Sequence, residues 1–171
     1  MTTPSSYTIM NSPVGDLLLV ACGTTLTRIE FEDQRHSHGV GTDGVRDDRL
    51  FTMAVKQLDE YFAGQRRDFD LEIGPTGTPF QRSVWRALQA IPYGTTCSYG
   101  ELAAAIGRPR AVRAVGAANG QNPLPIVIPC HRVIGKRGDL TGFGGGLETK
   151  RRLLQLEGVP AQQSLELARG S

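Results

Sequence analysis

Cysteine is scarce in this chain, and so are aromatic residues and long apolar runs. Three cysteines in 171 residues, Cys22, Cys97 and Cys130, are too few and too odd in number for a disulfide framework. That points to a reducing compartment, the cytoplasm. The longest apolar run, Leu17 to Cys22, is far shorter than the ~20 residues that span a bilayer, and no N-terminal stretch resembles a signal peptide. No membrane is expected as a partner. Cys22, His36 and His38 lack any recognisable zinc-site spacing, so neither a metal nor a cofactor is expected. Cys22 and Cys97 read as structural. Net charge is only +2, which excludes little.

The distribution of that charge says more. Residues 1–79 hold 7 basic and 12 acidic side chains, whereas residues 80–158 hold 11 basic and 4 acidic. The halves have opposite sign, and the basic half is the one suited to a polyanion. In the first half, Tyr7–Met10, Asp16–Ala21 and Thr25–Phe31 are β-rich runs separated by turn residues, which predicts a small antiparallel sheet. Residues 33–47 read as a loop. Phe51, Val55, Leu58, Tyr61 and Phe62 recur at helical spacing, and Gly64 ends that helix. Phe69, Leu71 and Ile73 alternate as in a strand. Gly74–Gly77 marks the boundary.

Beyond it the periodicity is helical. Thr78 with Gln81, and Ser98 with Glu101, are capping boxes that open two helices. Pro109 reads as the first residue of a third, running to Asn119 with Gly120 as its stop. Two short helices joined through Gly107-Arg108-Pro109 make a helix-turn-helix-like unit. Pro123–Pro129 reads as extended. A glycine-rich loop spans 135–146, and a last helix runs from about Leu147 to Glu157. The fold class is α+β: a small N-terminal antiparallel sheet with a helix in residues 1–77, then a mostly helical domain in residues 78–171, of which 159–171 form a flexible tail.

Two stretches carry chemistry. The third helix has arginines near its start (Arg108, Arg110, Arg113) and then only small residues. It lacks the long polar side chains that read base edges in a major groove, but its small residues permit close approach to a DNA backbone or minor groove. They equally suit packing in the core. Pro129-Cys130-His131-Arg132 places a thiol beside a base, with Arg132, Lys136 and Arg137 nearby in sequence. A proton acceptor and positive charge raise the thiolate fraction of a cysteine whose ordinary pKa is about 8.5. An inert buried cysteine is the alternative.

Thr96-Cys97-Ser98-Tyr99-Gly100-Glu101, Arg113-Ala-Val-Gly-Ala-Ala-Asn119 and Asn122-Pro-Leu-Pro-Ile-Val-Ile-Pro-Cys130-His131-Arg132-Val-Ile closely resemble the O6-alkylguanine-DNA alkyltransferases. The resemblance is strongest over residues 78–158 and weaker in the first half. It implies DNA repair by a single, irreversible transfer of the alkyl group from O6-alkylguanine to Cys130, after the nucleotide has flipped out of the duplex. His131 would take the thiol proton through a water, Glu157 would orient His131, Asn122 would brace the Cys130 turn, and Tyr99 would help the guanine leave. Arg113 would fill the vacated stack. Arg110, Arg108, Ala114, Gly116, Ala117, Arg132, Thr96 and Ser98 would contact DNA. Tyr99, Phe143, Gly144, Gly145 and Val133 would line the base pocket, Phe143 standing where many members carry Tyr. The implied partner is double-stranded DNA containing O6-alkylguanine, with O4-alkylthymine as a further candidate, bound by a monomer. A damage sensor that flips a base without transfer, a cysteine hydrolase and a helix-turn-helix regulator are the competing readings. The first lacks the acceptor cysteine in known relatives, the second would turn over without DNA, and the third needs base-reading side chains.

Overall fold

A computed structural model describes residues 3–32, 39–40, 43–140 and 142–159. The expected tail beyond Val159 lies outside the described residues, as do His36 and His38 and most of the 33–47 loop. Three strands, β1 (Ser5–Met10), β2 (Leu17–Cys22) and β3 (Thr25–Phe31), form an antiparallel meander, Ser5 opposite Cys22 and Leu17 opposite Phe31. A short fourth strand, β4 (Val45–Arg46), adds to β1 in parallel, giving the order β3-β2-β1-β4. Polar composition concealed β4, whose two residues are both exposed. Helix α1 (Thr52–Phe62) buries Ala54, Leu58 and Tyr61 in one cluster with Leu17, Leu19 and Ile29 of the sheet. Each leucine buried there contributes roughly 1.5–3 kcal/mol of transfer free energy.

The Phe69–Ile73 alternation does not produce a strand. Ile73 alone bridges to Leu26, with Gly74 N–H donating to Leu26 O at 2.9 Å. After this crossing comes α2 (Pro79–Gln89). Its capping box is present in full, Thr78 accepting from Gln81 N–H and Gln81 accepting from Thr78 N–H. Val84, Trp85 and Leu88 form its buried stripe, and Trp85 Nε1 donates to Ala118 O at 2.9 Å. That bond ties α2 to α4 (Val112–Gly120), the second helix of the helix-turn-helix-like pair. The first is α3 (Tyr99–Ala105), opened by the Ser98/Glu101 capping box. The third helix does not start at Pro109: Ala111 N–H donates to Arg108 O in a turn, and α4 begins at Val112. A proline φ suits a turn as well as a first helical position.

Nor is Pro123–Pro129 extended. It wraps tightly, with Ile128 N–H donating to Leu124 O and Cys130 N–H to Ile128 O, both at 2.8 Å. A single 3-10 turn, Cys130–Arg132, follows. It leads into β6 (Val133–Ile134), which pairs in parallel with β5 (Cys97–Ser98). Helix α5 (Leu147–Leu156) closes the described chain. One hydrophobic cluster runs through both halves, from Met10 to Leu153, and Ile29 N–H donates to Pro123 O across the junction at 2.9 Å. The first half thereby becomes a wall for the second.

Candidate active site

Asn122 shapes the segment that carries Cys130. Its Nδ2 donates to Ile128 O at 2.7 Å and its Oδ1 accepts from Leu124 N–H at 3.0 Å. Between these clamps, Ile126 is held at φ 75° while 1% exposed. That left-handed conformation costs a β-branched residue about 1–2 kcal/mol, so the surrounding bonds and packing must hold it. The result places Cys130 at the start of the 3-10 turn, where the N–H groups of Cys130 and His131 favour a negative sulfur.

Glu157 caps the C-terminal end of α5, a place where a helix dipole disfavours negative charge. Donors from three stretches of chain offset this. His131 Nε2 lies 2.5 Å from Oε2, Tyr61 O–H donates to Oε2 at 2.6 Å, and Arg132 Nη2 donates to it at 3.2 Å. Arg132 Nε and Gly94 N–H donate to Oε1 at 2.7 and 3.1 Å. Gly94 sits at φ 76°, and a Cβ there would come within 2.9 Å of Glu157 O, so only glycine lets this amide approach. Burial alone would raise the Glu157 carboxyl. The bonds from His131, Arg132 and Tyr61 override it and hold the group ionised, well below the usual carboxylate range. An ionised carboxylate only accepts. His131 Nε2 must therefore carry hydrogen, and the ring's lone pair is on Nδ1, which is buried with no hydrogen-bond partner among the described residues. Burial also pushes His131 below its ordinary pKa, with Glu157 opposing. The ring rests neutral, with its basic nitrogen free.

Burial pushes the Cys130 thiol up; a hydrogen bond from Asn122, the charge of Lys150 and the two turn amides pull it back. Lys150 is 0% exposed and donates to Val133 O at 2.7 Å. Its own pKa is pushed down to about 8 by burial, with Cys130 opposing. At rest the site therefore holds a neutral thiol, a neutral base oriented by a carboxylate, and a buried ammonium next to the sulfur. It can generate a thiolate when a proton moves to His131. Beside Cys130 is a cavity of about 20 Å³ lined by Phe31, Asn119, Pro125, Phe143 and Gly144 among others. That is room for one water, so a nucleobase must displace a wall to occupy it.

Family models described as 6-O-methylguanine DNA methyltransferase, ribonuclease-like domain, and 6-O-methylguanine DNA methyltransferase, DNA binding domain, match residues 6–75 and 79–159. A Mycolicibacterium paratuberculosis protein named methylated-DNA–protein-cysteine methyltransferase is 51% identical over 94% of this chain and 97% of its own. The chain belongs to this family. A Methanosarcina acetivorans member of the same name is 47% identical over 89% of this chain and 97% of its own. Among solved structures, Mycobacterium tuberculosis OGT in complex with DNA is 49% identical, with a TM-score of 0.85 over 95% of this chain and 98% of that one.

With the family in hand, the expected residues can be placed. The structure brings Cys130, His131, Glu157 and Asn122 together. Tyr99 opens α3 and is half-buried, its ring 3.8 Å from where a Gly116 Cβ would stand. Arg108, Arg110, Arg113, Ala114 and Ala117 are exposed on the turn and α4, Gly116 is half-buried there, and Thr96 and Ser98 are half-buried beside α3. Ser98 Oγ accepts from Glu101 N–H as the helix cap.

Three expectations are corrected. Arg132 is no DNA contact: it is 5% exposed, its guanidinium engaged by Glu157 and by Ile91 O at 2.7 Å. The cation beside Cys130 is Lys150, while Lys136 and Arg137 are exposed. Of the expected pocket residues, Phe143 and Gly144 line the cavity, whereas Gly145 and Val133 do not; Tyr99 stands outside this closed cavity, against α4 at Gly116. Val133 is 0% exposed and engages Lys150 through its carbonyl. Gly145 packs on Phe31, where a Cβ would meet the ring at 2.7 Å. Sequence reading missed Tyr61, Lys150, Phe31 and Asn119. Tyr61 was seen as core, and a lysine in the amphipathic α5 gives no sign that it points inward. Among the described residues no cluster of His, Cys, Asp and Glu could hold a metal ion.

Proposed function

We propose that this protein repairs DNA by moving the alkyl group of O6-alkylguanine onto Cys130, once per molecule. The observation that carries the proposal is the buried relay. Glu157 holds His131 with Nδ1 free, and His131 directly follows Cys130, which lines the cavity together with Asn119 of α4. The exposed face of α4, with Arg113, Ala114 and Ala117, suits close contact with a DNA backbone and minor groove. An O6-alkyl group inside a duplex is out of reach, so the nucleotide is extruded at a cost of a few kcal/mol. Arg113 occupies the vacated stack and offsets that cost. The thiol proton passes to His131 Nδ1, and the sulfur electron pair attacks the alkyl carbon. The carbon–O6 bond breaks onto the base, and guanine is restored by gaining a proton. A hydrogen bond from the Tyr99 hydroxyl reduces charge on the departing base. The product is a thioether, which has no ready hydrolytic exit, so the protein is consumed.

O6-alkylguanine is the lesion, with O4-alkylthymine as a further candidate, and the protein acts as a monomer. The cytoplasm, where its three free cysteines stay reduced, is the compartment. Intact-mass and peptide-mapping analysis after mixing with an equimolar O6-methylguanine duplex tests the reading. One added methyl on Cys130, guanine restored and no second turnover are expected; binding with no mass change would leave a non-catalytic damage sensor instead.

A further inference from the structure

Tyr61 lies in α1, in the half of the chain that does not carry Cys130, and is 0% exposed. Three rings pack on it: Phe62 and Phe69 at 5.4 and 5.5 Å, and Tyr93, edge-on, at 6.2 Å between centroids. Phenylalanine would serve that packing equally, and a buried hydroxyl is costly unless it is paired. This one is paired with Glu157 Oε2 at 2.6 Å, the short range of a hydroxyl donating to a charged acceptor. Burial, reinforced by the charge of Glu157, pushes the phenol above its ordinary range, so it stays a donor. The same oxygen receives His131 Nε2 at 2.5 Å. A donor on a carboxylate favours its charged form and draws charge from the oxygen it touches. Tyr61 therefore keeps Glu157 ionised and at the same time leaves less of Oε2 for the imidazole.

The strength of that pull matters because Glu157 favours a protonated His131, whereas burial, Arg132 and Lys150 oppose it. Cys130 precedes His131 in the same turn. Tyr93, with Arg67 over its ring, also faces the charge of Glu157, but its hydroxyl donates to Leu156 O at 3.3 Å and not to the carboxylate. We propose that Tyr61 is a positioning residue for alkyl transfer: through the oxygen it shares with His131 it holds the Glu157 carboxylate and moderates its pull on the imidazole, so that the first half of the chain supplies part of the relay. The inference rests on the alkyl-transfer reading above. A base can take the thiol proton only above the pH at which it is already protonated, and Tyr61 extends that range downward.

The test compares wild type, Tyr61→Phe and Tyr93→Phe in two measurements. Single-turnover transfer from an O6-methylguanine duplex is followed from about pH 5 to about pH 8, and His131 is titrated by NMR in the unreacted protein. In Tyr61→Phe, Oε2 is left to His131 and the longer Arg132 bond. The pH of half-maximal transfer and the His131 midpoint should both rise by about half a unit. Tyr93→Phe removes a hydroxyl from the same aromatic cluster and should leave both midpoints as in wild type. Fluorotyrosine in place of Tyr61, a stronger donor with nearly the same packing, reads the converse: both midpoints should fall, and a rise there overturns the proposal. Equal midpoints in wild type and Tyr61→Phe, or equal shifts in the two phenylalanine variants, overturn the role of Tyr61 and leave alkyl transfer intact. Absence of S-methylcysteine at Cys130 in wild type would instead overturn the reading on which it rests.

Discussion

Cys97 and Cys130 invite comparison because the chain places them close together. Cys97 pairs in β5 with Val133 in β6, three residues past Cys130. Both thiols are pushed up by burial, Cys97 to about 11. What differs is the opposition. Cys97 meets only the charge of Glu101, which raises it further. Cys130 meets Asn122, Lys150 and the amides of its own turn, and has a neutral histidine next to it in sequence. Burial therefore does not mark a cysteine as inert. A buried thiol is inert when nothing around it stabilises the thiolate, and poised when a proton acceptor and a desolvated cation share its burial.

The sharpest break of the comparison is all or none. Cys130→Ala should abolish alkyl uptake, whereas Cys97→Ala should still take one alkyl group per molecule, as counted by peptide mapping. Next, Glu157→Gln should make Cys130 resemble Cys97. Losing the carboxylate removes the orientation of His131, and transfer should slow by about 10²–10⁴-fold in single-turnover assays. The variant should also lose roughly 3–5 kcal/mol of stability in urea titrations, because Arg132 is left buried and unpaired. Arg113→Ala separates delivery from activation. Transfer from duplex lesions should slow by about ten- to hundredfold, matching part of the extrusion cost, with little change for the free O6-alkylated base.

The smallest effect concerns Lys150. Lys150→Met should slow transfer at pH 7 by about tenfold and raise the pH of half-maximal rate by about one unit. Stability carries its own signature. The folded pKa of Lys150 is about 8 against an ordinary 10.5, so the folded protein loses this proton first. Wild type should gain stability relative to Lys150→Met as pH rises from about 8 to about 10.5, and no gain would count against a buried ammonium. In acid the slope has the same sign. His131, kept neutral, withdraws stability as pH falls below its ordinary 6.5, and Glu157, kept ionised, does so below its ordinary 4.5.

What could be read in the sequence was local or motif-bound. The Thr78/Gln81 and Ser98/Glu101 capping boxes involve residues three apart and formed as expected. Thr25–Phe31 was recovered end to end as β3. Cys130, His131 and Asn122 were legible from one continuous string, and Glu157 through the family resemblance. The misses are long-range. Tyr61 reaches Glu157 across 96 positions, and nothing in the period of α1 distinguishes a tyrosine that packs from one that also donates. Lys150 was not singled out because helical pattern reading assigns lysine outward by default. The Pro123–Pro129 run misled for another reason. Its apolar residues are buried as a strand's would be, but Asn122 and the left-handed Ile126 coil them into a turn.

The clustering of donors on Glu157 also governs when the site comes into being. Its partners stand 96, 63, 26 and 25 positions away along the chain. Contacts of such separation form late, after the loops between them have closed. A folding intermediate with its helices in place but its halves undocked would lack the Tyr61 donor, and with α5 loose it would lack the carboxylate. Its Cys130 would be no better a nucleophile than any ordinary thiol. Reactivity in this protein thus requires the docked fold, which protects a residue that can be used only once from being consumed before the molecule is able to hold DNA.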